Sequence, residues 1–195
     1  MVEWRCAATG MKWYMGQGMP NQPCYLSPEE MIRLGKRGKL VIAGQNATFK
    51  RTALIEAGGW LPELRWFTDW FGAFVVGFRH GICHVPEVLS IFNLDSTSYY
   101  HTATSQSERR QVLLRILELL DSDKYRDVAD PIRRSGIFGP FGWPILRVLL
   151  GHPKYWKYLN CALVRRVAKR CAEVIGRRYF PDWLARLCLK VFYGR

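Results

Sequence analysis

What this chain lacks narrows its class first. No stretch reaches the roughly 18 uninterrupted apolar residues that a spanning helix needs, and the opening MVEWRCAATG has too short an apolar run for a secretory leader. The six cysteines (Cys6, Cys24, Cys83, Cys161, Cys171 and Cys188) include no C-x-x-C pair, so a reduced, cytosolic-side location is expected. The absence of any internal repeat or low-complexity tract, together with near-normal charge, excludes fibrous and disordered classes. Acid is scarce in one region only. Residues 133–195 hold 14 Lys and Arg against 2 Asp and Glu, and so carry +12 of the formal net charge of +13.

Nearly half of the residues are apolar and 14% are aromatic, so 195 residues can bury a sizeable core as one domain with an appendage or as two small domains. The charge asymmetry marks two regions with different surroundings.

Along the chain, residues 1–26 are rich in Gly, Pro, Met and aromatics without clear periodicity, and residues 16–21 read as loop. Ser27-Pro28-Glu29-Glu30 is a helix start, with Ser27 as cap, Pro28 at the first position and Glu30 completing a capping box. Leu40-Val41-Ile42-Ala43 predicts a short strand, and GQNATFKR follows it directly. Residues 52–57 predict a short helix closed by Gly58-Gly59, and residues 60–64 a loop. Phe71, Phe74, Val75 and Phe78 recur at helical spacing and predict a buried helix ending at Gly81. Residues 84–92 predict a strand, residues 93–100 a polar loop, and residues 107–120 an amphipathic helix. The Gly- and Pro-broken run Ile137–Pro144 carries large apolar side chains that need cover, and residues 160–178 form a basic helix before a last helix opened by Pro181 or Asp182.

At the centre stands Thr68-Asp69-Trp70, an acid between aromatics at the head of an apolar helix. Position alone makes Asp69 a helix-start acid that answers the dipole. A carboxylate in apolar surroundings is also a candidate for proton transfer.

The order strand, GQNATFKR, short helix, Gly58-Gly59-Trp60, loop, Thr68-Asp69-Trp70, helix, Gly81, Pro86-Glu87-Val88-Leu89 resembles the second half of family 2 glycosyltransferases of the GT-A fold, over roughly residues 40–100. The resemblance implies inverting transfer of a sugar from a nucleotide-sugar donor to an acceptor hydroxyl in surface polysaccharide or glycolipid synthesis. It makes Asp69 the general base and Trp70 a wall of the acceptor site. Asn46 and Arg51 would line or brace that site; the bland alternatives are a backbone-bracing amide and a partner for a surface acid. His101 would lie near the sugar-nucleotide diphosphate, as some members place a His after this strand, or is a solvated loop histidine. The motif in the family often begins with a second acid, which Thr68 replaces.

A complete enzyme of this kind begins with a Rossmann-like donor half ending in an Asp-x-Asp metal motif, and only some forty residues precede the matching segment. The donor half is therefore expected to be missing and the chain alone inactive, as a split-enzyme part or a remnant. Nucleotide-sugar and divalent Mg or Mn are expected only with that half, and no metal is expected here. Asp121-Ser122-Asp123 fits the pattern by chance, since it follows a helix downstream of Asp69. His80, Cys83 and His84 are close in sequence, but Gly81 interrupts them.

The expected architecture is α/β: a partial GT-A half-domain over residues 1–105 and a basic α-helical extension over 106–195. For that extension a membrane surface or partner helix ranks first, a plain solvated face second and nucleic acid third. The expected location is the inner face of the plasma membrane, with a donor-half chain and a glycan or lipid-linked acceptor as partners. The competing class is a non-enzymatic, membrane-associated scaffold.

Overall fold

A computed structural model of the chain describes residues 2–6, 12–16, 18–94 and 105–179. It is a mixed α/β arrangement in which helix dominates and the strands are short. Their order is β1 (Val2–Cys6), β2 (Lys12–Met15), β3 (Cys24–Leu26), α1 (Pro28–Lys36), α2 (Arg51–Glu56), α3 (Thr68–His80), β4 (Ile82–His84) and β5 (Ser90–Leu94). The helices α4 (Gln106–Asp121), α5 (Arg126–Ser135), α6 (Trp143–Leu150) and α7 (Cys161–Tyr179) follow.

Within the aperiodic residues 1–26, the described residues include three short strands. β1 pairs antiparallel with β2, Trp4 opposite Trp13, and parallel with β5, Trp4 opposite Phe92. β3 pairs antiparallel with β4, Cys24 opposite His84. These strands of three to five residues are too short to show period-2 alternation, and β3 and β5 find their partners far along the chain. The expected single strand over 84–92 is two strands in two sheets. Pro86 has no N–H to give a ladder, and the chain crosses from one sheet to the other around it. Leu40–Ala43 is extended but forms no ladder; Leu40 is buried beside α1, its N–H donating to the Leu34 carbonyl.

α1 starts as its capping box requires. The Ser27 N–H donates to Glu30 Oε2 at 2.8 Å, and Ser27 Oγ accepts from the Glu30 N–H at 3.3 Å. The same device, with Ser105 and Glu108, opens α4 one residue before the expected start. α2 ends at a turn with Gly58 at φ +100° and Gly59 at φ +69°, backbone that only glycine adopts cheaply.

α3 is the hub, burying Phe71, Phe74, Val75 and Phe78. It packs on α1 and α5, and its buried residues share one continuous core with Leu113, Ile116 and Leu117 of α4, Val128 and Ile132 of α5, and Ile145 and Leu149 of α6. That core draws on both sides of residue 105. The broken run 137–144 is largely inside: Ile137 and Phe138 are buried, and a 3-10 turn (Gly139–Phe141) carries the chain into α6.

Part of the basic face of α7 has an internal use. Arg165 donates to the Lys36 carbonyl, and Arg166 donates to the carbonyls of Gly136 at 3.0 Å and Gly35 at 3.4 Å. Two guanidinium groups thus close the carboxyl ends of α1 and α5, where the helix dipoles are negative. Burial pushes the Arg166 pKa down to about 10.

Candidate functional site

Asp69 lies in the first turn of α3, delivered by a 3-10 segment (Pro62–Phe67) in which Arg65 holds φ +50° and ψ −122°. That conformation is costly for a side-chain-bearing residue. The Trp70 N–H donates to Asp69 Oδ1 at 2.6 Å. The carboxyl is half-buried, and burial raises its pKa above the usual carboxylate range; the N–H groups of Trp70 and of Asp69 itself partly oppose the shift.

The other carboxylate oxygen faces Gly44. A Cβ built on Gly44 would stand 2.0 Å from Asp69 Oδ2, so only glycine permits this approach. Gly44 opens the 3-10 turn Gly44–Asn46, and the structure therefore brings the GQN segment and Asp69 together across 25 positions of sequence.

At Asn46 this turn meets a groove of about 800 Å³, whose lining includes Asn46 but neither Gly44 nor Asp69. One wall is the segment Val41–Ala43 with Asn46–Lys50, and the floor is Ala73, Val76, Gly77 and His80 of α3. Positions 69, 73, 76 and 80 recur at helical spacing, so Asp69 stands on the same side of α3, one turn before the floor and outside the groove lining. Met19 and the β4 residues Ile82–His84 close the far side. The lining is mostly apolar, with Asn46, Thr48, Lys50, Thr52, Glu56, His80 and His84 as its polar members.

The candidates separate accordingly. Asn46 is exposed and lines the groove. Arg51 opens α2 between Lys50 and Thr52, which line the groove, but is itself outside that lining and exposed. Trp70 packs its ring against Phe74 (5.0 Å between centroids), Phe141 (5.0 Å) and Phe138 (5.7 Å), joining α3 to the segment before α6. His101 lies outside the described residues.

The sequence reading missed most of the groove lining, because its parts come from the loop after β2, the extended segment 41–43 and the distal end of α3. Its legible signals were Asn46 and the cluster His80, Cys83, His84, all of which line the groove. His84 Nε2 lies 3.1 Å from the Pro20 carbonyl, and burial lowers its pKa. Among the described residues no group of three or more His, Cys, Asp or Glu could hold a metal ion. No helix among them is long and apolar enough to cross a membrane. Compared with protein-family models, curated proteins and solved structures, the chain gives no match.

Proposed function

We propose that this chain is the acceptor-side half of an inverting glycosyltransferase of the GT-A type, with Asp69 as general base and the groove beside it as the acceptor site. A neutral hydroxyl is a poor nucleophile, and a carboxylate within hydrogen-bond reach removes its proton as the new bond forms. The proton passes to Asp69, the acceptor oxygen bonds to the anomeric carbon, and the bond from that carbon to the nucleotide diphosphate breaks, the pair leaving with the phosphate oxygen. The observation that carries the reading is Asp69 itself: half-buried, raised in pKa by burial, held against Gly44 and standing on the groove side of α3, one turn before the floor. Burial makes the carboxylate a stronger base than one in water.

Asn46 is assigned to the acceptor and Arg51 to the rim. Donor binding, with its nucleotide and any divalent metal, is assigned to a Rossmann-like half, as the resemblance implies. Two experiments test the reading. Chemical-shift mapping with glycan and lipid-linked acceptors is expected to move residues 44–46 and 73–80; a response confined to other elements sinks it. Radiolabelled sugar transfer in the presence of a donor-binding partner is expected to fall at least about 100-fold in Asp69→Asn.

One observation favours a non-enzymatic scaffold instead. Trp70, expected as an acceptor wall, is packed among Phe74, Phe138 and Phe141, and neither it nor Asp69 belongs to the groove lining. On that reading acceptors leave the spectrum of the groove unchanged, and Asp69→Asn alters stability alone.

A further inference from the structure

The structure sorts the aromatic side chains of the basic region into two sets. Phe138 and Tyr155 are 2% and 1% exposed and belong to the core, whereas Trp143 and Trp156 are 51% and 53% exposed. On α6, Ile145, Val148 and Leu149 face inward. Trp143, Arg147 and Leu150 recur at i, i+4 and i+7 and form the opposite stripe, with Leu150 56% exposed and Leu146 partly buried against the core. Trp156 follows in the 3-10 segment Pro153–Tyr158 that packs on α6. An outward stripe of this kind on an eight-residue helix has no use in water.

The segment that carries it has charges of one sign, while Asp121 and Glu118 of α4 lie near Lys154 and Lys157. Residues 139–172 contain seven Lys and Arg and no Asp or Glu. Arg165 and Arg166 are committed to backbone carbonyls, and Lys157 to Asp121 at 2.5 Å, but Arg147 lies over the Trp143 ring at 5.9 Å and Lys154 over Tyr155 at 4.5 Å. Cation and indole are thus presented together on the exposed side of α6.

We infer that α6 and the 3-10 segment after it form an interfacial anchor that seats Trp143, Leu150 and Trp156 in the headgroup region of an anionic bilayer, with Arg147 and Lys154 against the lipid phosphates. Indoles partition to the headgroup level because the ring is apolar and its N–H still finds a partner there. A helix two turns long, about 12 Å, lies in the plane of the interface and does not cross it. The absence of acid over 34 residues is what an anionic surface selects, since each Lys or Arg near it strengthens binding roughly fivefold. Nucleic acid would be answered by the same cations, but it offers nothing to the aliphatic Leu150. This anchor stands independently of the glycosyl-transfer reading.

The test is sedimentation of the full chain with vesicles of phosphatidylglycerol and phosphatidylcholine in equal parts, against vesicles of phosphatidylcholine alone. Retention is expected on the anionic vesicles and weakens with salt. It is expected to fall about tenfold or more in W143S/W156S and roughly 25-fold in R147Q/K154Q. Ile55→Ser, on an exposed residue of α2, leaves it unchanged. All five positions are exposed, and far-ultraviolet circular dichroism checks that each variant is folded. No retention, equal retention of W143S/W156S, or release of the chain from vesicles by polynucleotide overturns the anchor. So does a dimer that W143S/W156S converts to monomer, which gives the stripe to a second copy.

Discussion

Gly44 and Asp69 are the smallest unit on which the site depends, and each makes a measurable claim. A methyl group on Gly44 would meet Oδ2 at 2.0 Å, and the carboxylate can leave only by moving off the groove side of α3. Gly44→Ala is expected to cost about 1–3 kcal/mol in urea unfolding and to reduce transfer as strongly as Asp69→Asn does. The charge of Asp69 has a cost of its own. Burial raises its folded pKa, so its favourable contribution is fully present below the unfolded value near about 3.9 and is lost as pH rises through the folded one. Asp69→Asn escapes that loss. Its melting temperature is expected to exceed the parent's at pH 7, with the gap closing below about pH 4; calorimetry from pH 3 to 8 reads it, and a variant less stable at pH 7 contradicts it. The place of Asp69 at the head of an apolar helix was legible because both signals are local. The partners of Trp70 were not, since Phe138 and Phe141 lie about seventy residues away and the indole gives no sign of which neighbour it will meet.

Helices were legible wherever their signals lay within one or two turns. The Ser27 capping box, the Gly58-Gly59 turn and the period of α3 are examples. The strands escaped because a three-residue run means nothing until its partner is known, and β3 finds its partner some sixty residues on. Helix pairing is equally non-local. α1 and α5 cross where a Cβ on Gly35 would come 2.7 Å from Ser135 Cβ and 2.8 Å from the Ser135 carbonyl oxygen, and Arg166 reaches into the same junction. Gly35→Ala would gain helix propensity on an isolated helix, yet here it must prise two helices apart. The expected result is a net loss of about 1–3 kcal/mol in urea unfolding, and a stabilised variant would refute the crossing.

The whole chain behaves as its core dictates. Buried residues from Leu26 to Val167 form one cluster, with α3 in contact with elements on both sides of residue 105. Urea unfolding of the full chain is therefore expected to give coincident transitions by circular dichroism and by tryptophan fluorescence. A chain cut at residue 105 is expected to lose native-like chemical-shift dispersion, because Phe71 and Phe74 lose their cover. Two separated transitions would instead support independent units over 1–105 and 106–195.

The parallel pair of β1 with β5 sets a clock as well as a sheet. Each of its five pairings joins residues 88 apart, from Val2 with Ser90 to Cys6 with Leu94. Closing so long a loop is slow and entropically expensive. At the usual 5–20 residues per second of synthesis, β1 leaves the ribosome roughly 4–18 s before the strand it must join. Through that interval Val2–Cys6 has only β2 for company, and a two-stranded hairpin is marginal in water. A strand made early is thus among the last to find its place, and β1 is most open to chaperones and to mispairing while it waits for β5.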